Sequence, residues 1–193
     1  MAKQLSAAVV IGSLRKESFS RKVANALIGL APPALACSIA EIGDLPPYNE
    51  DLETHVPAPW QRFRAAITPR DSVLFVTPEY NRSIPGGLKN AIDVGSRPAG
   101  KSVFDGKAAG VVSVTPYALG GLAANIAVRN ALIFLNMPTL QMPEAYIAQA
   151  NTLFDPDGTV KVSASREFFG KFMRAFADWT RLIAGQKAAA KQK

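Results

Sequence analysis

The sequence predicts a single α/β domain built on a doubly wound parallel sheet with helices on both faces. Short, almost wholly apolar runs recur along the chain, which is typical of strands that are covered on both faces. Segments with apolar residues at helical spacing lie between these runs, so that strands and helices alternate five times. The 193 residues suffice for one such domain with a sizeable core and are too few for two.

Each element is predicted from its own stretch of sequence. The predicted strands cover 5–12, 37–42, 71–77, 107–115 and a segment near 138–147. The predicted helices run from Ser18 or Ser20 to about Leu30, from about 58 to 67, from Gly86 for about three turns, from 121 to 135, and from about 162 to 185. We predict one domain over residues 1–185, followed by a frayed tail over residues 186–193.

Aromatic residues form a stripe along one side of the last predicted helix. We expect this stripe to pack against the sheet as part of the core, not to bind a cofactor. Its members are Phe168, Phe169, Phe172, Phe176 and Trp179.

The lone Cys37 and the lone His55 narrow the chemistry that side chains could perform. A single cysteine forms neither a disulfide framework nor a cysteine zinc site within one chain, and a single histidine excludes a multi-histidine metal site. Both counts also leave little room for Ser-His-Asp or Cys-His catalysis. We therefore predict no metal site.

The balance of charges favours a small anionic ligand. Lysine and arginine number 22 against 15 acidic residues, which gives a net charge of +7. The basic residues are scattered and no nucleic-acid-binding motif interleaves them, so we expect no nucleic-acid partner. A small phosphorylated ligand fits this pattern better.

The N-terminal segment does not resemble a signal peptide, because its short apolar run continues directly into a Gly-Ser turn. No uninterrupted apolar segment approaches the roughly 20 residues that span a bilayer. We expect a cytoplasmic location without membrane insertion.

In doubly wound sheets, ligands bind outside the carboxyl ends of the strands, where the strand order reverses. Three segments are predicted to meet there: the first loop (residues 12–20), the second loop (78–86) and the third loop (115–121).

The first loop carries the groups of a phosphate site. Ser13, Ser18 and Ser20 supply hydroxyls, Arg15 supplies a guanidinium, and a helix N-terminus supplies free N–H groups. The alternative is a capped helix start with solvated charges. Because no G-x-G-x-x-G pattern is present, a mononucleotide fits better than a dinucleotide.

The second loop has the groups to bind a flat heterocycle. Pro78 and Pro85 stiffen it, while Asn81 could hydrogen-bond a polar ring edge and Tyr80 could supply apolar contact. An ordinary turn between strand and helix is the alternative interpretation.

Two sequence blocks, GSLRKESFSRKVA at 12–24 and VTPEYNRSIPGGLKNAID at 76–93, resemble the NADPH-dependent FMN reductases, and within them the bacterial quinone and chromate reductase branch. The resemblance implies a flavodoxin-like fold with five parallel strands in the order 2-1-3-4-5. It also implies FMN as cofactor and NADPH or NADH as electron donor. Hydride would pass through the flavin N5 to quinones, chromate or similar small acceptors, without a catalytic side chain. A homodimer or homotetramer is implied as well.

The same resemblance assigns residues to the parts of FMN. Around the phosphate it places Ser13, Arg15, Ser18, Phe19 and Ser20. Along the isoalloxazine ring it places Pro78, Glu79, Tyr80, Asn81 and Ser83, together with Ser113, Tyr117, Gly120 and Gly121 near the third loop. Arg97 is the first candidate for binding an anionic substrate and Arg82 is the second, with a solvated surface role as the alternative for both.

Two other functions are considered. A flavodoxin-type electron carrier without its own turnover would share the fold, but such carriers are acidic as a class, whereas this chain has a pI near 9.7. A nucleotide triphosphatase is suggested by residues 95–102, which match G-x-x-x-x-G-K-[ST]. That loop functions only between a strand and a following helix, and here it follows a helix, so we interpret the match as chance.

Overall fold

The computed structural model describes residues 4–190. The strands of its sheet are β1 (Leu5–Ile11), β2 (Leu35–Ala40), β3 (Ser72–Pro78), β4 (Ala108–Val114) and β5 (Ala145–Ile147). The α-helices are α1 (Phe19–Gly29), α2 (Ala58–Ile67), α3 (Gly86–Ser96), α4 (Leu122–Phe134) and α5 (Ser163–Ala190). Short 3₁₀ helices cover Glu50–Thr54 and Ala150–Thr152.

The strands form one five-stranded sheet in the order β2-β1-β3-β4-β5. Every neighbouring pair is parallel, which confirms the predicted fold class. The strand order reverses between β1 and β3, so the loops that follow these two strands leave the sheet side by side. This is the switch point at which the sequence predicts a ligand.

The core forms two layers, one on each face of the sheet. Val9 and Ile11 of β1 belong to the layer beneath α1 and α5, whereas Ala8 and Val10 belong to the layer beneath α2, α3 and α4. Successive residues of a strand point to opposite faces, and here both faces are covered. Because both faces are buried, the strands appear in the sequence as continuous apolar runs.

Helix α5 is longer than predicted. The expected frayed tail begins inside the helix, because residues 186–190 continue α5; residues 191–193 lie outside the described residues. Alanine and lysine are strong helix formers, which accounts for the extension. The aromatic stripe packs as predicted, with Phe169, Phe172 and Phe176 buried in the core.

The strand predicted near 138–147 is shorter than expected. Strand β5 covers only Ala145–Ile147, and Thr139 forms an isolated bridge with Ala109. Pro143, which lies between these two short contacts, lacks the N–H group that a continuous ladder requires, so pairing is interrupted there. Strand β2 begins at Leu35, two positions before the predicted start.

The segment that matches the triphosphatase motif lies between α3 and β4. Residues 97–107 form turns and contain no helix that could receive a phosphate. Within residues 4–190, none of the helices combines the length and the hydrophobicity that crossing a bilayer requires.

Candidate functional site

A cavity of about 300 Å³ opens at the carboxyl edge of the sheet, at the switch point. It is lined by residues from all three predicted loops: Ser13, Arg15, Ser18, Phe19, Ser20, Pro78, Glu79, Tyr80, Val114, Thr115, Pro116 and Tyr117. Grooves of about 380 and 670 Å³ border α5, but they are more open and contain none of these residues. We therefore place the candidate site at the switch point.

One end of the cavity is the N-terminus of α1. Ser18 is the N-cap residue, and its Oγ accepts a hydrogen bond from the backbone N–H of Arg21 at 3.1 Å. The hydroxyl hydrogen of Ser18 stays available for donation, and the N–H groups of Phe19 and Ser20 meet no acceptor within residues 4–190. Ser13 and Ser20 are buried beside them. These convergent donors and the positive end of the helix dipole suit a phosphate.

Arg15 lies at the same end of the cavity. Its side chain is exposed, and no carboxylate of the described residues forms an ion pair with it. The guanidinium can therefore approach a bound anion without giving up an existing partner.

A tight turn at Tyr80–Ser83 begins the aromatic part of the cavity lining, which we call its aromatic end. The backbones of Tyr80 and Ser83 exchange two hydrogen bonds of 2.9 Å, while Asn81 and Arg82 have φ angles of 51° and 62°. Positive φ at both central positions is the signature of a type I′ turn. The turn presents the ring of Tyr80, which is 45% exposed, along the cavity.

The third loop also lines the cavity, through Thr115, Pro116 and Tyr117. The backbone N–H of Thr115 donates to Ile147 O at 2.9 Å, and its carbonyl accepts from Ala150 N at 3.1 Å. The Thr115 hydroxyl oxygen in turn accepts the N–H of Tyr117 at 3.2 Å. Tyr117, which is 77% exposed, thus forms a second aromatic wall on an anchored loop.

Some residues assigned to the ring by resemblance lie behind the cavity surface. Ser113 is fully buried, and its hydroxyl donates to Gly120 O at 2.7 Å, which fixes the third loop from beneath. Gly120, which accepts this bond, and Gly121, the N-cap of α4, lead from the third loop into the helix, and neither lines the cavity. Asn81 and Ser83 shape the turn without lining the cavity themselves. Their contacts with a cofactor stay predictions.

Sequence reasoning missed three of the lining residues, Val114, Thr115 and Pro116. They carry no recognisable motif. Their position at the end of a predicted strand is the one signal that could have indicated them, because ligand contacts concentrate at that edge of the sheet.

The two candidate arginines lie at opposite ends of α3. Arg82 is in the turn that begins with the cavity-lining Tyr80, and its Nη1 lies 3.6 Å from Oε1 of Glu79. Arg97 follows the last residue of α3, a helix of 11 residues that begins beside the cavity. At 1.5 Å per residue this separates Arg97 from the start of α3 by about 16 Å.

Two titratable side chains outside the cavity, Cys37 and Glu41, have shifted pKa values with clear physical causes. Burial raises the pKa of the Cys37 thiol to about 11, so Cys37 stays protonated near neutral pH. Hydrogen bonds from the Arg21 guanidinium lower the pKa of the Glu41 carboxyl. Neither residue lines the cavity.

The strand order and a switch-point cavity with a phosphate end and an aromatic end define a flavodoxin-like, mononucleotide-binding protein. The family model of the NADPH-dependent FMN reductases matches residues 5–152 of the chain. The chain belongs to this family.

Individual relatives agree with the assignment. A quinone reductase of Pseudomonas putida is 58% identical over 183 residues, covering 94% of this chain and 98% of the relative. A 2-hydroxy-1,4-benzoquinone reductase of Burkholderia sp. is 38% identical, with 92% and 97% of the two chains covered. The solved structure of FerB, a flavoenzyme NAD(P)H:(acceptor) oxidoreductase from Paracoccus denitrificans, superimposes with a TM-score of 0.87 at 39% identity, covering 92% of this chain and 97% of FerB.

The family membership settles the class of function. The protein is an oxidoreductase whose cofactor is FMN and whose electron donor is NAD(P)H. The reductase interpretation therefore prevails over the electron carrier. A flavodoxin from Pseudomonas aeruginosa, at 17% identity and a TM-score of 0.54, shares the fold alone.

Proposed function

We propose that this protein reduces quinones with electrons from NAD(P)H, using FMN bound in the switch-point cavity. The observation that carries the proposal is the division of this cavity into a phosphate end and an aromatic end. The names of its relatives support the acceptor class. We include chromate and similar small oxidants as further acceptors to be tested.

The first loop would hold the phosphate of FMN. The amides of Phe19 and Ser20 and the hydroxyls of Ser13, Ser18 and Ser20 converge at the start of α1, with Arg15 at the rim. An ordered set of donors carries little reorganisation cost when the anion arrives, which favours tight binding of the phosphate.

Tyr80 and Tyr117 would flank the ring at the other end. When bound, FMN supplies the hydride and electron transfer between donor and acceptor, so no protein nucleophile is needed. The two tyrosines and the stiff turn at 80–83 would orient the ring, and both tyrosine side chains are exposed to solvent on the side from which small molecules would approach.

Arg82 has the stronger support of the two arginines for binding an anionic substrate. It lies in the turn whose first residue, Tyr80, lines the cavity, 73% of its side chain is exposed, and it makes one long ion pair. A cation there would attract the phosphates of NADPH, or chromate, without being buried. Arg97 stays a candidate whose distance along α3 is less favourable.

We further propose a cytoplasmic homo-oligomer that associates through α4. Its outer face carries Leu122, Ile126, Ile133 and Phe134, of which Ile133 and Phe134 are 77% and 86% exposed. A second copy is the partner that this face suits best, because an apolar helix face packs against itself about a two-fold axis. Light scattering of the wild type and of Ile133→Asp would test this: a monomeric wild type contradicts the proposal.

The first experiment is the visible absorption spectrum of the purified protein. We expect peaks of oxidised flavin that bleach with NADPH, or with NADH, and return when benzoquinone is added. Repeating the reoxidation with chromate tests the second acceptor class. A colourless protein that FMN cannot reconstitute would refute the proposed function.

A further inference from the structure

The carboxylate of Glu79 joins the second loop to α4. Its Oε2 accepts the backbone N–H of Ala123 at 2.9 Å and that of Ala124 at 3.2 Å. These are the second and third residues of the helix, and their N–H groups have no partner inside it. A residue 44 positions earlier in the chain therefore caps the N-terminus of α4.

Helix α4 cannot cap itself. Its N-cap residue is Gly121, which has a left-handed φ of 77° and no side chain to accept a hydrogen bond. A Cβ at this position would lie 3.0 Å from Cβ of Ser113 and 3.6 Å from Cβ of Glu79. A capping side chain at position 121 would thus be both strained and crowded. The cap has to come from another segment.

The hydrogen bonds of Glu79 link the two segments that carry Tyr80 and Tyr117. Tyr80 directly follows Glu79, and Tyr117 belongs to the third loop, which leads into α4 through Gly121. Within residues 4–190, the two bonds of Glu79 are the side-chain hydrogen bonds that join the second loop to α4. Only 14% of the Glu79 side chain is exposed, so water competes weakly for them.

We propose that Glu79 is a positioning residue that sets the spacing between Tyr80 and Tyr117 by tying the second loop to α4. This inference rests on the proposed function, since the spacing matters only when a flat ring binds between the loops. Without the tie, the loops would have to be ordered at the moment of binding, and that cost would lower the affinity for the ring.

Three substitutions separate the reach of the side chain from its charge. Glu79→Gln keeps the length and an acceptor oxygen, Glu79→Asp keeps the charge but is one methylene shorter, and Glu79→Ala removes both. We expect the Kd of FMN to rise about tenfold in the Asp and Ala variants and to stay within about threefold of wild type in the Gln variant. Fluorescence quenching on titration of the apoprotein measures these constants.

Riboflavin shows which end of the cavity is affected. It has the ring of FMN but no phosphate, so a change in ring spacing should weaken riboflavin and FMN by the same factor. In the apoprotein, amide hydrogen exchange at Ala123 and Ala124 should be faster in the Asp and Ala variants and near wild type in the Gln variant. This readout requires neither cofactor nor turnover.

Glu53→Ala is the matched control. Glu53 is 15% exposed and accepts two N–H bonds from Arg64, but it lies in the 3₁₀ helix Glu50–Thr54 outside the cavity. We expect this variant to lose stability without any change in the Kd of either flavin.

Two results would overturn the inference: wild-type flavin affinity in the Asp and Ala variants, or an affinity in the Gln variant as weak as in the Ala variant. If the Ala variant does not fold, the Asp and Gln pair decides the question. A wild-type protein that binds neither flavin would instead refute the proposed function, so the two failures can be told apart.

Discussion

The helix cap at the phosphate end is a contact between near neighbours in the chain, whereas the loops at the aromatic end, called the ring end below, are tied together by contacts between distant segments. Within the ring end, the Tyr80–Ser83 turn itself closes locally. Ser18 caps its own helix through Arg21, three residues away. Glu79 binds the start of α4, 44 residues away, and Thr115 is anchored by Ile147. The cap at the phosphate end therefore depends on residues close together in the chain, while the tie between the loops at the ring end depends on the assembled sheet.

This difference predicts how each end responds to substitution. A change at the phosphate end should weaken cofactor binding and leave most of the folding free energy intact. A change at the ring end should lower both, because the contacts that shape the cavity there also hold the β3, β4 and β5 segments together.

The largest effect is expected for Gly120→Ala at the ring end. Gly120 has a φ of 60°, and a Cβ there would lie 2.7 Å from the backbone carbonyl carbon of Tyr146. Left-handed strain and overlap with fixed backbone should together lower the free energy of unfolding by about 3 kcal/mol. Urea denaturation of the apoprotein measures this loss.

Gly158→Ala is its control, because Gly158 has a φ of 86° but open space around it. It should lose only about 1 kcal/mol, the strain alone. Equal losses in the two variants would show that the contact with Tyr146 adds nothing, and the ring end would then be less dependent on β5 than the structure indicates.

The phosphate end is tested by Ser18→Ala. Losing a hydrogen bond to a charged phosphate should weaken FMN binding about tenfold, and losing the cap should cost about 1 kcal/mol of stability. Riboflavin affinity should not change, since riboflavin lacks the phosphate. Asn49→Ala removes a comparable cap from the 3₁₀ helix Glu50–Thr54 outside the cavity and should leave both affinities unchanged. Weaker riboflavin binding in Ser18→Ala would contradict the division of the cavity into two ends.

The contrast between near and distant contacts also explains what the sequence could predict. The alternation of strands and helices and the donors of the first loop were accessible, because each depends on apolar runs or on residues close together in the chain. The strand order was accessible only through the family resemblance. The cap from Glu79 was not, since no pattern links position 79 to the amides of Ala123 and Ala124. The placement of Ser113 behind the loop likewise depends on a long-range contact, the support that it gives to Gly120 from within the assembled sheet.

A smaller effect is expected from the two candidate arginines, of which Arg82 lies in the Tyr80–Ser83 turn and Arg97 lies at the far end of α3. Arg82→Ala should raise the KM for NADPH and for chromate about threefold at low ionic strength, and less in salt, because an exposed cation acts through screened attraction. Arg97→Ala should leave both constants unchanged, given its distance along α3. Steady-state kinetics at two salt concentrations compare them. If Arg97→Ala raised both KM values and Arg82→Ala did not, the anionic substrate would have to bind near the far end of α3.

The smallest effect concerns the support of α1 by the exposed pair Arg21 and Glu41. Because Arg21 lowers the pKa of Glu41 in the folded state, the unfolded chain binds more protons near that pKa, and the pair stabilises the fold only above it. Glu41→Gln should therefore lower the free energy of unfolding by less than about 1 kcal/mol at pH 7. The difference from wild type should vanish as the pH falls through the lowered pKa. A difference that persists in denaturant titrations at pH values below the lowered pKa would mean that packing of residue 41, and not its charge, supports the helix behind the phosphate end.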